Sequence, residues 1–111
     1  MAAANDLDLL KGTLDLLILK TLTWGPMHGY AVVRWVSQAT DDDLQIEEGA
    51  LYTALHRMEN RSFVRSEWGL SENNRKAKFY QLTALGRRQL RSQEALWTRY
   101  ARAVFKVLQT S

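Results

Sequence analysis

"EEGALYTALHRMENRSFVRSEWGLSENNRKAKFYQLT", residues 47–83, changes periodicity partway along, and the change decides the fold. In its first part Leu51, Leu55 and Met58 fall within roughly 60° of one another at 100° per residue, so residues 47–60 are expected to form a helix with one buried stripe. Ile46 and Leu51 are placed for a hydrophobic staple across its start, and Glu47 and Glu48 complement the positive helix end. Beyond Asn60 the pattern becomes short runs of strand formers. Residues 63–68 and 78–82 read as two strands around a basic loop of residues 69–77. Alternation puts Lys78, Tyr80 and Leu82 on one strand face, with Tyr80 inward, and Phe79 and Gln81 on the other.

On the N-terminal side, residues 7–24 have apolar positions at Leu10, Leu14, Leu17 and Ile18, with a second set at Leu9, Leu16 and Leu19. One stripe would satisfy a core; two suggest that this helix also meets a second chain. Gly25 and Pro26 end it, and Pro26 is expected in the first turn of a second helix over residues 27–39, burying Val32, Trp35, Val36 and Ala39. "TDDD", residues 40–43, is a polar turn. On the C-terminal side Thr83 is a good N-cap for a last helix over residues 84–109, roughly 39 Å long at the standard rise. Its seam is Leu90, Trp97, Ala101, Val104 and Leu108, widened by Tyr100 and Phe105. A terminal helix this long, with no later element to cover it, is expected to pack on a second subunit.

The expected fold class is thus mainly α with a small β-hairpin: a winged helix-turn-helix over residues 1–83, and a long C-terminal dimerisation helix over residues 84–111, in one compact unit. The connection of residues 40–46 is longer than a compact helix-turn-helix uses. The dimer contacts expected from the pattern are Leu9 and Leu16 on the first helix and Leu90, Trp97, Ala101, Val104 and Leu108 on the last.

Charge is lopsided. Residues 1–60 carry four Lys/Arg against nine Asp/Glu, whereas residues 61–111 carry eleven against three. A basic half favours a polyanionic partner. The face of the third helix opposite its apolar stripe is Gly49, Thr53, His56 and Asn60, short and uncharged where a solvent face would carry long charged side chains. Such a face suits insertion into a DNA major groove, because short donors and acceptors reach base edges while Arg57 and Arg61 approach phosphates. Arg75, Lys76 and Lys78 then supply phosphate contacts from the hairpin.

The blocks "GTLDLLILKTL", "GPMHGYAV", "EEGALYTALHRMEN" and "RKAKFYQLTALGRRQL" resemble, in this order and spacing, PadR-like transcriptional regulators, across most of residues 9–91. The likeness is greatest to short members with a single C-terminal helix. The resemblance implies a homodimeric winged-helix repressor of bacterial genes whose third helix enters the major groove, whose wing touches the backbone and whose first and last helices build the dimer. Carried onto this sequence, it implies DNA contacts at Gly49, Thr53 and His56 with Tyr52 at the flank, and wing contacts at Asn74, Arg75, Lys76 and Lys78. Two positions depart from the family pattern. Ser62 stands where many relatives have Gly, and Phe79 replaces a common Tyr, removing a hydroxyl.

Other chemistry is poorly represented. The chain has no Cys, so disulfides, thiolate metal sites and Cys nucleophiles are excluded. His28 and His56 lie in no paired-ligand spacing, and no Gly-rich phosphate loop or nucleophile elbow occurs. His28, at a helix start, is expected to cap or pack, and the carboxylates of residues 41–43 read as a solvated turn. The chain is therefore expected not to be an enzyme and to need no cofactor or metal. Apolar runs are too short for a membrane span or a secretory signal, so no membrane and a cytoplasmic location are expected. Expected partners are double-stranded DNA, a second copy of the chain and, at Trp97, a small apolar effector stacked in the dimer interface; filling the seam is the simpler role for that ring. A winged helix used only for protein docking is the alternative, favoured by Glu47 and Glu48 and opposed by the cations of the wing.

Overall fold

The computed structural model describes residues 12–110. The order is α1 (Thr13–Thr21), a 3₁₀ turn (Leu22–Trp24), β1 (Met27–His28), α2 (Gly29–Ala39), α3 (Glu48–Asn60), β2 (Val64–Leu70), β3 (Lys76–Leu82) and α4 (Ala84–Leu108). Among the described residues these are four α-helices and a three-stranded antiparallel sheet in the order β1-β3-β2. The architecture is the expected winged helix-turn-helix with a long last helix. Leu9 and the start of the expected first helix lie outside the described residues.

The core forms where the stripes converge: Ile18 and Leu19 from α1, Val32 and Val36 from α2, Leu51, Leu55 and Met58 from α3, and Val64, Tyr80 and Leu82 from the sheet. Ile46 and Leu51, the staple pair, are both buried there. Ala39 is exposed and Trp35 only half-buried, which corrects the stripe expected for α2. Leu90 is also a correction. Assigned by periodicity to the dimer seam, it is 6% exposed and belongs to the chain's own core, because the first turns of α4 lie against the sheet and α1.

Pro26 does not open a helix. The backbone stays extended through His28, and Met27 and His28 pair with Tyr80 and Phe79 of β3, so the hairpin gains a short third strand. His28 is then the N-cap of α2, its Nδ1 accepting from the Ala31 N–H at 3.3 Å, which fulfils the capping role expected of it. The Phe79 ring meets the His28 ring edge-on, centroids 5.4 Å apart at 83°, so Phe79 steadies the cap without needing a hydroxyl.

The strands are longer and the loop shorter than expected. Pairing runs from Val64↔Leu82 to Leu70↔Lys76, so Gly69, Ala77 and Lys76 belong to the ladder and only residues 71–75 turn. The tip is closed by Ser71 N–H to Arg75 C=O and Asn74 N–H to Ser71 C=O, both 2.8 Å. Asn74 sits at φ 60°, a left-handed conformation that Asn tolerates better than most residues.

Helix α3 ends in a Schellman motif: Phe63 N–H bonds Met58 C=O at 2.9 Å and Ser62 N–H bonds Glu59 C=O at 3.0 Å. Ser62 occupies the left-handed position at φ 65°, where glycine carries no Cβ penalty. Ser62→Gly is therefore expected to stabilise the fold by about 0.5–1 kcal/mol, read as a higher urea midpoint at constant m. An unchanged or lower midpoint would contradict this account of the helix stop.

Thr83 caps α4 as expected, its Oγ1 accepting from Gly86 N–H at 2.9 Å and donating to Ser62 C=O at 2.6 Å. The junction leading into the wing and the junction leaving it are thereby tied together. Beside this tie a Cβ on Gly86 would lie 2.0 Å from the Phe63 carbonyl oxygen, so close backbone approach requires glycine there.

Candidate nucleic-acid interface

The exposed face of α3 assembles as the spacing predicts. Leu51, Ala54, Leu55 and Met58 turn inward, which leaves Gly49, Tyr52, Thr53, His56 and Asn60 exposed on the outer side. Glu47 is the N-cap residue, and its side chain makes no capping hydrogen bond.

Two glycines near this face have different reasons to exist. A Cβ on Gly29 would lie 2.6 Å from the Tyr52 hydroxyl, so Gly29 lets the Tyr52 side chain rest on the start of α2. A Cβ on Gly49 would meet nothing nearer than the Glu47 carboxylate at 3.6 Å, an ordinary contact. The chain's own packing does not require glycine at 49, although glycine weakens a helix. Gly49→Ala is accordingly expected to raise stability by up to about 1 kcal/mol while weakening DNA binding, since on the expected role of this face a methyl at residue 49 would occupy space needed by base edges. Thermal melts and binding isotherms on one preparation check the opposed signs; unchanged affinity would remove Gly49 from the interface.

Arg57 is exposed, and its Nη2 lies 2.6 Å from Asp15 Oδ1, so the side chain leans towards α1 and ties the two helices together. That partner is far away in sequence, so nothing local to α3 announced it.

The hairpin presents its cations as two kinds of group. Arg75 is at the tip, while Lys76 and Lys78 stand on β3 directly across from Leu70 and Trp68 of β2. Lys76 Nζ lies 5.5 Å from the centroid of the Trp68 ring, a cation–π arrangement. Asn74 shapes the turn and is exposed. On the same face as Lys78, Tyr80 is buried; desolvation, with Glu59 and then Tyr52 nearby, pushes its phenol up, so it stays neutral and anchors the hairpin.

Between this face of the hairpin and helices α2 and α3 lies an open cleft of about 680 Å³, whose walls include Tyr52, Arg75, Lys76 and Lys78. Tyr30, Arg34 and Trp68, which no sequence motif singles out, also line it. Their signal is faint: Tyr30 and Arg34 are four apart on α2, off its buried stripe, and Trp68 and Leu70 alternate on an exposed strand face.

The last helix leaves an apolar surface uncovered. Trp97, Val104 and Leu108 are exposed along one seam, with Tyr100 and Phe105 exposed beside it and Ala101 half-buried. Trp97 Nε1–H donates to Thr13 Oγ1 at 3.2 Å, which places this seam against the start of α1, where Leu16 is half-buried. Among the described residues no group of three or more His, Asp or Glu could hold a metal, and no helix is long and apolar enough to cross a membrane.

Comparison with known proteins agrees with this geometry. The chain superimposes on a transcriptional regulator from Clostridium thermocellum with a TM-score of 0.80 at 26% identity, covering 89% of this chain and 93% of that one. A PadR-like transcriptional regulator from Bacillus cereus gives 0.79 at 25% identity, with 94% and 99% covered. A PadR family transcriptional regulator from Eggerthella lenta gives 0.75 at 35% identity, with 95% and 89% covered. A protein of Lysinibacillus sphaericus with no assigned function is 30% identical over 80 residues, 72% of this chain and 73% of its own. Residues 18–92 match the transcriptional regulator PadR-like family. The chain belongs to that family, and so to a class of DNA-binding transcriptional regulators.

Proposed function

We propose that the chain is a cytoplasmic, dimeric repressor that reads a pseudo-palindromic operator. The observation carrying this is a short, uncharged exposed face on α3 together with a hairpin bearing Arg75, Lys76 and Lys78, with Tyr52 at the flank of that face lining the same cleft as the three cations. Gly49, Tyr52, Thr53, His56 and Asn60 supply selectivity at base edges, and the wing, with Asn74 shaping its tip, supplies affinity at phosphates. In this reading residues 1–83 are the DNA-binding part and residues 84–111, which contain α4, the dimerisation part.

The dimer is supported by the seam of Trp97, Val104 and Leu108, all exposed, with half-buried Ala101 among them, because exposed apolar residues clustered on one face mark a surface for a second chain. Two-fold symmetry then sets the half-sites about one helical turn, roughly 34 Å, apart. The hydrogen bond of Trp97 to Thr13 favours seam filling as the role of this ring; its exposed part is where a small, flat apolar effector would stack to release the DNA.

Sedimentation of the chain alone and with a duplex from upstream of its own gene tests the reading. The expected species has twice the 12.8 kDa of the chain, and two copies bind per duplex. A dimer with no salt-sensitive retention on any duplex would overturn it in favour of a protein-docking winged helix, the role that exposed Glu47 and Glu48 suit.

A further inference from the structure

We propose that the cleft between the wing and α2 clasps one sugar–phosphate strand of the duplex, with Arg34 on one wall and Trp68 on the other as contact residues beyond the recognition helix and wing cations. This rests on the DNA-binding reading above and assigns the strand's position within it.

The cleft combines cations from separate elements: Arg34 from α2, Arg75 from the turn, and Lys76 and Lys78 from β3. Among the described residues, none of these four is within ion-pair distance of a carboxylate. The Arg34 guanidinium carbon lies 5.7 Å from the centroid of the Tyr30 ring. Stacking holds a guanidinium by its face and leaves its N–H edge free to donate, which is the geometry that phosphate oxygens take.

Cations alone would fit any anion, but the opposite wall is not cationic alone. Trp68 is 62% exposed, against Lys76 above its ring and Lys78 opposite it in register. An exposed indole gains from covering deoxyribose C–H groups, whereas free phosphate offers it nothing. A wall that alternates charge and aromatic surface matches a polymer alternating phosphate and sugar. Placement agrees: with α3 in the major groove, the backbone bordering that groove lies towards the wing. Glu72 also lines the cleft, its carboxylate 4.0 Å from His28 Nε2, and there opposes an incoming phosphate.

The test measures equilibrium binding of the full chain to a random-sequence duplex across a salt series, with Arg34→Gln, Trp68→Ser, Glu72→Gln and, outside the cleft on α4, Arg102→Gln. Thermal melts verify folding of each variant. For each bound protomer Arg34→Gln is expected to lower affinity about three- to tenfold and reduce the slope of log K against log salt by about 1, with loss of one phosphate-ethylation interference site per half-site. Trp68→Ser is expected to lower affinity with the slope retained, and Glu72→Gln to tighten binding. If the parent chain binds with a normal slope but Arg34→Gln and Trp68→Ser behave as Arg102→Gln does, the clasp is overturned and the DNA-binding reading stands. If the parent chain shows no salt-dependent binding, the DNA-binding reading itself fails, and the clasp with it.

Discussion

Replacing Arg75, Lys76 and Lys78 together by glutamine is expected to weaken binding to every duplex, matched or scrambled, by about a hundredfold near physiological salt for each bound protomer. For each bound protomer the slope of log K against log salt should fall by roughly 2.7, about 0.9 for each phosphate that is no longer neutralised. The magnitude follows from where these residues stand. Arg75 and Lys76 are exposed, and none of the three is within ion-pair distance of an acid among the described residues. Their removal breaks no internal ion pair there, and the melting temperature should change little. Because phosphates carry no sequence information, the ratio of operator to random affinity should be nearly preserved. A full-size slope in the triple variant would show that the wing is not where the counterions are displaced.

Gly86→Ala is expected to give the largest loss of stability, about 2–4 kcal/mol, seen as a fall in melting temperature of about 10–20 °C. The added methyl would lie 2.0 Å from the Phe63 carbonyl oxygen and 3.2 Å from Leu82 Cδ2. The first obstacle is backbone, which no rotamer change can move, so the first turn of α4 must swing away. That swing would break the bonds of Thr83 Oγ1 to Ser62 C=O and Gly86 N–H, which hold the hairpin to the end of α3. The variant therefore loses wing placement as well as stability. A melting temperature within a few degrees of the parent would refute the close approach.

How much of this was legible from sequence depended on whether the determining contact was local. The stripe Leu51, Leu55 and Met58 and the Thr83 cap are set by neighbours within a few residues, and both form as expected. Strand β1 could not be read, since two residues show no alternation and their pairing is chosen by Tyr80 and Phe79 far along the chain. Gly69 and Ala77 have weak strand propensity and look like loop, yet the closed turn of residues 71–75 holds them opposite each other in the ladder.

Periodicity marked Leu90 and Trp97 as one seam, and only tertiary packing separates the core residue from the exposed one. The Arg57–Asp15 pair and the cleft of Tyr30, Arg34 and Trp68 likewise join elements whose proximity no local pattern encodes. The outer face of α3 was legible because burial on one side of a helix fixes exposure on the other.

Base reading by this outer face is decided by the operator-to-random affinity ratio of the Thr53→Ala/His56→Ala double variant. Both residues are exposed and neither side chain makes a hydrogen bond within the described residues, so truncation should leave the fold and the salt slope intact. The ratio is expected to fall at least tenfold through loss of operator affinity, with random-duplex affinity unchanged. An unchanged ratio would contradict the assignment of base reading to α3.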